Sequence, residues 1–109
     1  MVLKEEIIMK IVGVCACTAG IAHTYMAQKK LITVGKERGH EVYIETQGSI
    51  GAENVLTAEQ IRDADVVIIA ADVKISKERF KSKNMVEIGT SIAIKSTNQL
   101  YEQIEKQLV

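Results

Sequence analysis

The stretch "MKIVGVCACTAGIAHTYMAQKKLITVGKERGHEVYIET", residues 9–46, sets two strand-like runs around one helix-like run, and the fold follows from it. Met9 to Cys15 is apolar on both faces, the pattern of a strand at the centre of a parallel sheet. From Ala22 to Arg38, the residues Met26, Ala27, Leu31 and Val34 recur at helical spacing, and Gly39 supplies the stop. Gly35 interrupts that helix at a propensity cost of about 1 kcal/mol. Glu41 to Thr46 alternates as an outer strand does.

Downstream, "QGSIG" reads as a glycine-punctuated loop, and Thr57 with Gln60 forms a capping-box signature for a short helix. Asp65 to Ala71 is a second fully apolar strand, "SKERFKS" a short helix or turn, and Asn84 to Gly89 a fourth strand. Ser96 with Gln99 caps a last helix carrying Leu100, Ile104 and Leu108. Strand and helix therefore alternate, which predicts an α/β domain: a three-layer αβα sandwich, Rossmann or flavodoxin-like, around a four-stranded parallel sheet with right-handed crossovers. Residues 9–109 form one domain, and residues 1–8 are an N-terminal extension or the start of the first strand. Ligands of such sheets bind beyond the carboxyl ends of the strands, where the strand order reverses. Cys17 lies there.

The 109 residues carry 14 basic and 14 acidic side chains, so no polyanion-binding surface is expected and nucleic acid is excluded as a partner. Apolar runs such as "ADVVIIAA" reach about eight residues, short of the roughly 20 that span a bilayer. The acidic start "MVLKEEIIMK" lacks the features of an export signal, and the cysteine usage suits a reducing cytosol.

After Cys15 the strand ends, "CTAG" turns the chain, and a helix begins near His23. Small residues let such a loop curl with several N–H groups inward, and the helix N-terminus adds roughly half a positive charge. This is an anion cradle built without arginine or lysine. The same dipole stabilises a thiolate on Cys17, the form that attacks phosphorus, while the N–H groups hold the phosphoryl oxygens. The bland alternative makes Cys17 a small apolar residue in a tight turn. Cys15 continues the face of Ile11 and Gly13 and is expected in the core. A metal or redox pair from C-x-C is disfavoured, because His23 and His40 are the only histidines and no third cysteine exists. Cysteine phosphatases place an arginine six residues after the nucleophile to grip phosphate in a bidentate fashion. Here that position is His23, which either holds phosphate or caps the helix beside Thr24. A loop without the arginine is suited to carrying phosphate more than to hydrolysing it.

"CTAGIAHTYMA", then "ETQGSIG", then "DVVIIAAD" closely resemble the IIB component of the fructose family of the bacterial phosphoenolpyruvate-dependent sugar phosphotransferase system. The likeness runs from about Met9 to the final helix. Cys17, Gly20, Ala22, His23 and Thr24 fit the family's C-P-T-G-x-A-H-T, Glu45 to Ser49 with Gly51 fit the second motif, and Asp65 to Asp72 the third. Thr18 stands where proline is usual and Ala19 where threonine is usual, so "CTAG" leans toward the "CSAG" of the lactose and cellobiose IIB components.

The resemblance implies Cys17 as the phosphocysteine and Thr18, Ala19, Gly20, Ile21, Ala22, His23 and Thr24 as its phosphate-binding loop. It implies a phosphohistidine on a IIA protein as donor and a sugar in a membrane IIC protein as acceptor, with fructose 1-phosphate as product. It further implies a cytoplasmic protein peripherally associated with IIC, and neither metal nor other cofactor. Thr24, Tyr25, Gln47 and Ser49 are candidate partner-recognition residues. Two competing readings are a low-molecular-weight cysteine phosphatase and a non-phosphorylated regulatory domain of the same fold.

Overall fold

A computed structural model describes residues 8–17, 21–48 and 51–108, with the side chains of Ile21 and Leu108 outside the description. The chain runs β1 (Lys10–Ala16), α1 (Ile21–Glu37), β2 (Glu41–Gly48), β3 (Gly51–Glu53), α2 (Ala58–Asp63), β4 (Val66–Ala71), a 3-10 turn (Glu78–Phe80), β5 (Met85–Ile88), α3 (Thr90–Lys95) and α4 (Thr97–Leu108). The sheet order is β3-β2-β1-β4-β5. The four expected parallel strands are present, but the sheet has a fifth: β3 pairs antiparallel with the end of β2, Thr46 opposite Glu53 and Gly48 opposite Gly51. Part of "QGSIG" is thus strand, while Ser49 and Ile50 lie outside the described residues. From β1 the chain crosses to β2 on one side and later to β4 on the other, so the order reverses at β1.

Strand alternation divides the core in two. Ile11 and Cys15 of β1, with Ile68 and Ala70 of β4, pack against Ala27, Leu31 and Val34 of α1 and Tyr101 and Ile104 of α4. Val12 and Val14, with Val67 and Ile69, meet Leu56, Ala64 and Phe80 on the opposite face. Both central strands are therefore buried on both faces, which is why they read as unbroken apolar runs. Met26 departs from the expected helix stripe: it is 50% exposed, and Thr24 faces inward instead. The capping box of α2 is present, with the Thr57 hydroxyl accepting from the Gln60 N–H at 3.0 Å and the Gln60 side chain accepting from the Thr57 N–H at 2.9 Å. Gly39 follows α1 with φ 90°, the left-handed conformation that ends a helix at little cost for glycine alone.

The region before the last helix holds an element that the sequence did not announce. A short helix, α3, occupies Thr90–Lys95, and Ser96 ends it with its N–H bonded to Ile92 O at 2.9 Å. The final helix starts at Thr97, directly after Ser96 as expected, and the Thr97 hydroxyl bonds back to Ala93 O.

At the other end of the sheet, the Met9 N–H donates to His40 Nδ1 at 3.1 Å, so the proton of this buried ring sits on Nε2, 2.7 Å from Glu105. Arg38 grips the same carboxylate with two of its nitrogens, Nη2 at 2.7 Å and Nε at 2.8 Å. Chiefly through Arg38, and with help from His40 against the cost of partial burial, Glu105 is pulled down from 4.5 to about 2. A carboxylate depressed in the folded state stabilises the protein above its unfolded value, and that contribution disappears as pH falls from about 4.5 toward about 2. Discounted for partial solvent screening, it amounts to about 1–3 kcal/mol. Urea unfolding across this window is expected to show Glu105→Gln less stable than wild type at pH 6 and equal to it near pH 2. A gap that stays constant with pH would contradict the assignment.

Candidate functional site

Cys17 directly follows β1 and is half-buried; Thr18, Ala19 and Gly20 lie outside the described residues. Helix α1 then opens at Ile21. Its first turn brings exposed His23 to the sulfur, with Nδ1 3.9 Å from Cys17 Sγ. Ala22 is exposed beside it, whereas Thr24 is buried at 2% exposure. Thr24 Oγ1 is buried without a hydrogen-bond partner among the described residues.

The second wall comes from β4. Its strand ends at Ala71, and the Asp72 N–H donates to Ala16 O at 3.0 Å, which ties the two strand ends together. The Asp72 carboxylate accepts the Thr90 N–H at 3.0 Å on one oxygen and the Thr90 hydroxyl at 2.5 Å on the other. Gly89 allows this approach, since a Cβ there would lie 3.0 Å from the carboxylate. The Thr90 hydroxyl and then its N–H hold Asp72 below the usual carboxylate range; a hydrogen bond from the Cys17 thiol and the charge of His23 add to this. Cys17 therefore sits between a histidine from α1 and a carboxylate from the end of β4, at the switch point of the sheet.

A third element braces the site from below. Glu45 of β2, 1% exposed, takes a two-pronged grip from Arg79 at 2.9 and 3.0 Å, the Leu56 N–H at 3.0 Å and the Gln47 amide at 2.8 Å. Burial alone pushes its carboxyl up, but these donors prevail and keep it ionised. The Glu of "ETQGS" thus anchors the end of β2 and the chain that returns from β3. Tyr25 of α1 donates to Glu53 of β3. Thr24, Tyr25, Thr46, Gln47 and Glu53 line a narrow cleft between these elements.

Of the loop residues expected at the site, Cys17, Ala22, His23 and Thr24 are placed together, and Ile21 contributes described backbone only. Ser49, a candidate for partner recognition, lies outside the described residues. Cys15 is fully buried, and burial pushes its thiol up to about 12. The sequence reading placed no carboxylate at the Cys17 sulfur. Asp72 was legible only as the end of a motif, although an acidic residue just past the carboxyl end of a central parallel strand is itself a signal. Thr90 carries no such signal, because its role depends on a helix that sequence did not reveal.

Comparison with known proteins places the chain. The family model described as "PTS system, Lactose/Cellobiose specific IIB subunit" matches residues 12–106. The "PTS system fructose-like EIIB component 2" of Escherichia coli K12 is 47% identical over 100 residues, covering 91% of this chain and 94% of the relative. The "PTS system fructose-specific EIIB'BC component" of Vibrio cholerae is 43% identical over 90 residues, 83% of this chain but 16% of that longer protein. Among solved structures, an Enzyme IIB subunit of the PTS system from Escherichia coli K12 superposes with a TM-score of 0.86 at 40% identity, over 92% of this chain and 94% of that one.

Proposed function

Since the chain belongs to the IIB family of the phosphotransferase system and is of the fructose type, we propose that Cys17 accepts a phosphoryl group from the phosphohistidine of a IIA protein and passes it to a sugar held by a membrane IIC protein. The observation that carries this reading is the position of Cys17: a half-buried thiol at the sheet's switch point, on the lip of a 17-residue helix's N-terminus. There the helix dipole and the N–H groups of the first turn favour an incoming phosphoryl group. The buried Thr24 hydroxyl, without a partner among the described residues, is placed to donate to one of its oxygens. In the transfer, sulfur attacks phosphorus in line while N–H groups of the loop and first helical turn hold the equatorial oxygens. The donor is already a high-energy phosphoprotein, so the step calls for neither metal nor nucleotide.

Fructose is the sugar this reading favours, and fructose 1-phosphate the product. A IIC partner is consistent with the EIIB'BC relatives, whose names join B and C parts in one chain. On this reading the protein works at the cytoplasmic face of the membrane, docked on IIC. Among the described residues no helix is long and apolar enough to cross the bilayer itself.

Incubation with phosphoenolpyruvate, the general phosphotransferase proteins and candidate IIA proteins is expected to add one phosphoryl group to the intact mass, on the peptide containing Cys17. No gain with any fructose-type IIA would favour a regulatory domain. Steady hydrolysis of an aryl phosphate, lost when Cys17 is replaced, would favour a phosphatase.

A further inference from the structure

Asp72 stands at the end of β4 beside the acceptor thiol. Its carboxylate, clamped by two bonds to Thr90, with its own N–H bonded to Ala16 O, accepts a hydrogen bond from the acceptor sulfur. Three independent features hold it there: the parallel pairing of β1 and β4, the start of α3, and the missing side chain of Gly89.

We propose that Asp72 relays a proton during each handover, away from the Cys17 thiol in the first and back to its sulfur in the second, and stays ionised between them, a role that rests on Cys17 being the phosphoryl acceptor. In the first handover the S–P bond forms as the P–N bond of the donor phosphohistidine breaks. The electron pair of that bond goes to the imidazole nitrogen, and the thiol proton, passed through Asp72, follows it there. In the second, the sugar hydroxyl attacks phosphorus, the S–P bond breaks, and the hydroxyl proton passes through Asp72 to the departing sulfur. Between the two, the negative carboxylate repels the bound phosphoryl dianion, which keeps its tendency to leave high. A carrier needs this, because a phosphoryl group held too well is not passed on.

Two titratable groups face Cys17 among the described residues, His23 from α1 and Asp72 from the end of β4. They act in opposite senses on the sulfur: a protonated His23 favours the thiolate, whereas the Asp72 carboxylate favours the thiol. The test is the pH profile of iodoacetamide alkylation at Cys17, read by peptide mass in wild type, Asp72→Asn and Asp72→Ala, each checked for folding by circular dichroism. In both variants half-maximal alkylation is expected to move to lower pH by about one unit, and the rate at pH 7 to rise about five- to tenfold. Transfer onward to sugar is expected to fall by roughly 100-fold. A merely structural Asp72 would leave the alkylation profile where it is in wild type, and that result, or a shift to higher pH, overturns the proposal. Alkylation requires no partner protein, so it separates this outcome from failure of the acceptor reading, which would show as phosphoryl label on a chain lacking Cys17.

Discussion

Cys17→Ser is expected to reduce phosphoryl acceptance from a phosphorylated IIA protein by roughly 10⁴-fold or more, while leaving the fold unchanged. The argument begins with acidity. A serine hydroxyl in the same place exists almost wholly as the neutral alcohol near pH 7, and neither the α1 dipole nor His23 at 3.9 Å supplies enough stabilisation to ionise it. Sulfur is also the better leaving group in the second handover, so a serine that did acquire phosphate would keep it. The change costs little in packing, because the side chain is half-buried at a strand end and loses no volume to the core. Label from phosphoenolpyruvate, followed in wild type and variant with matched circular dichroism spectra, checks this. Labelling of the serine chain at the wild-type rate would remove Cys17 as acceptor and with it the relay.

The second large effect is structural. Gly35→Ala is expected to destabilise the protein, although alanine is the better helix former by about 1 kcal/mol. A Cβ at this position would sit 2.4 Å from a methyl of Val42 and 2.7 Å from the Tyr101 hydroxyl oxygen. Neither neighbour has room to retreat. Tyr101 is fully buried and donates to Leu31 O at 2.6 Å, and Val42 is held by β2. Overpacking costs about 1–3 kcal/mol and a broken buried hydrogen bond about as much again, so the net loss is about 2–3 kcal/mol. For a domain of this size that lowers the thermal midpoint by roughly 10–20 °C. Val42→Ala in the same chain is expected to recover part of the loss by opening space for the new methyl. A stabilised Gly35→Ala protein would show that helix propensity outweighs the packing at this crossing.

Gly35 also shows how local and tertiary demands diverge. Judged by sequence, it weakens the last turn of α1; in the fold it lets that turn approach β2 and α4 closely. Met26 diverges in the opposite direction, since helical spacing assigned it to the buried stripe and the rotation of α1 exposes it. Helical spacing defines a stripe only to within a residue on either side, and contact with the sheet selects Thr24, Ala27, Leu31 and Val34. The edge strand β3 and helix α3 were not legible for a different reason. Three exposed residues, Gly51–Glu53, and a β-branched six-residue run, Thr90–Lys95, carry no periodic signal of their own. Their conformations come from pairing with β2 and from the hold of Asp72 on Thr90.

By itself, then, the order of residues determined the alternation of strands and helices, the burial of Cys15, and the loop after β1 that opens with Cys17. Each is written in neighbours close along the chain: unbroken apolar runs, a capping box, small residues before a helix. Only the tertiary structure decided what faces that sulfur. Asp72 lies far from Cys17 along the chain and meets it because β4 pairs with β1, and Thr90 holds Asp72 because α3 starts against β4's end. A parallel sheet brings the carboxyl ends of non-consecutive strands together, and the charge around Cys17 is set by that long-range register, which no local pattern of residues records.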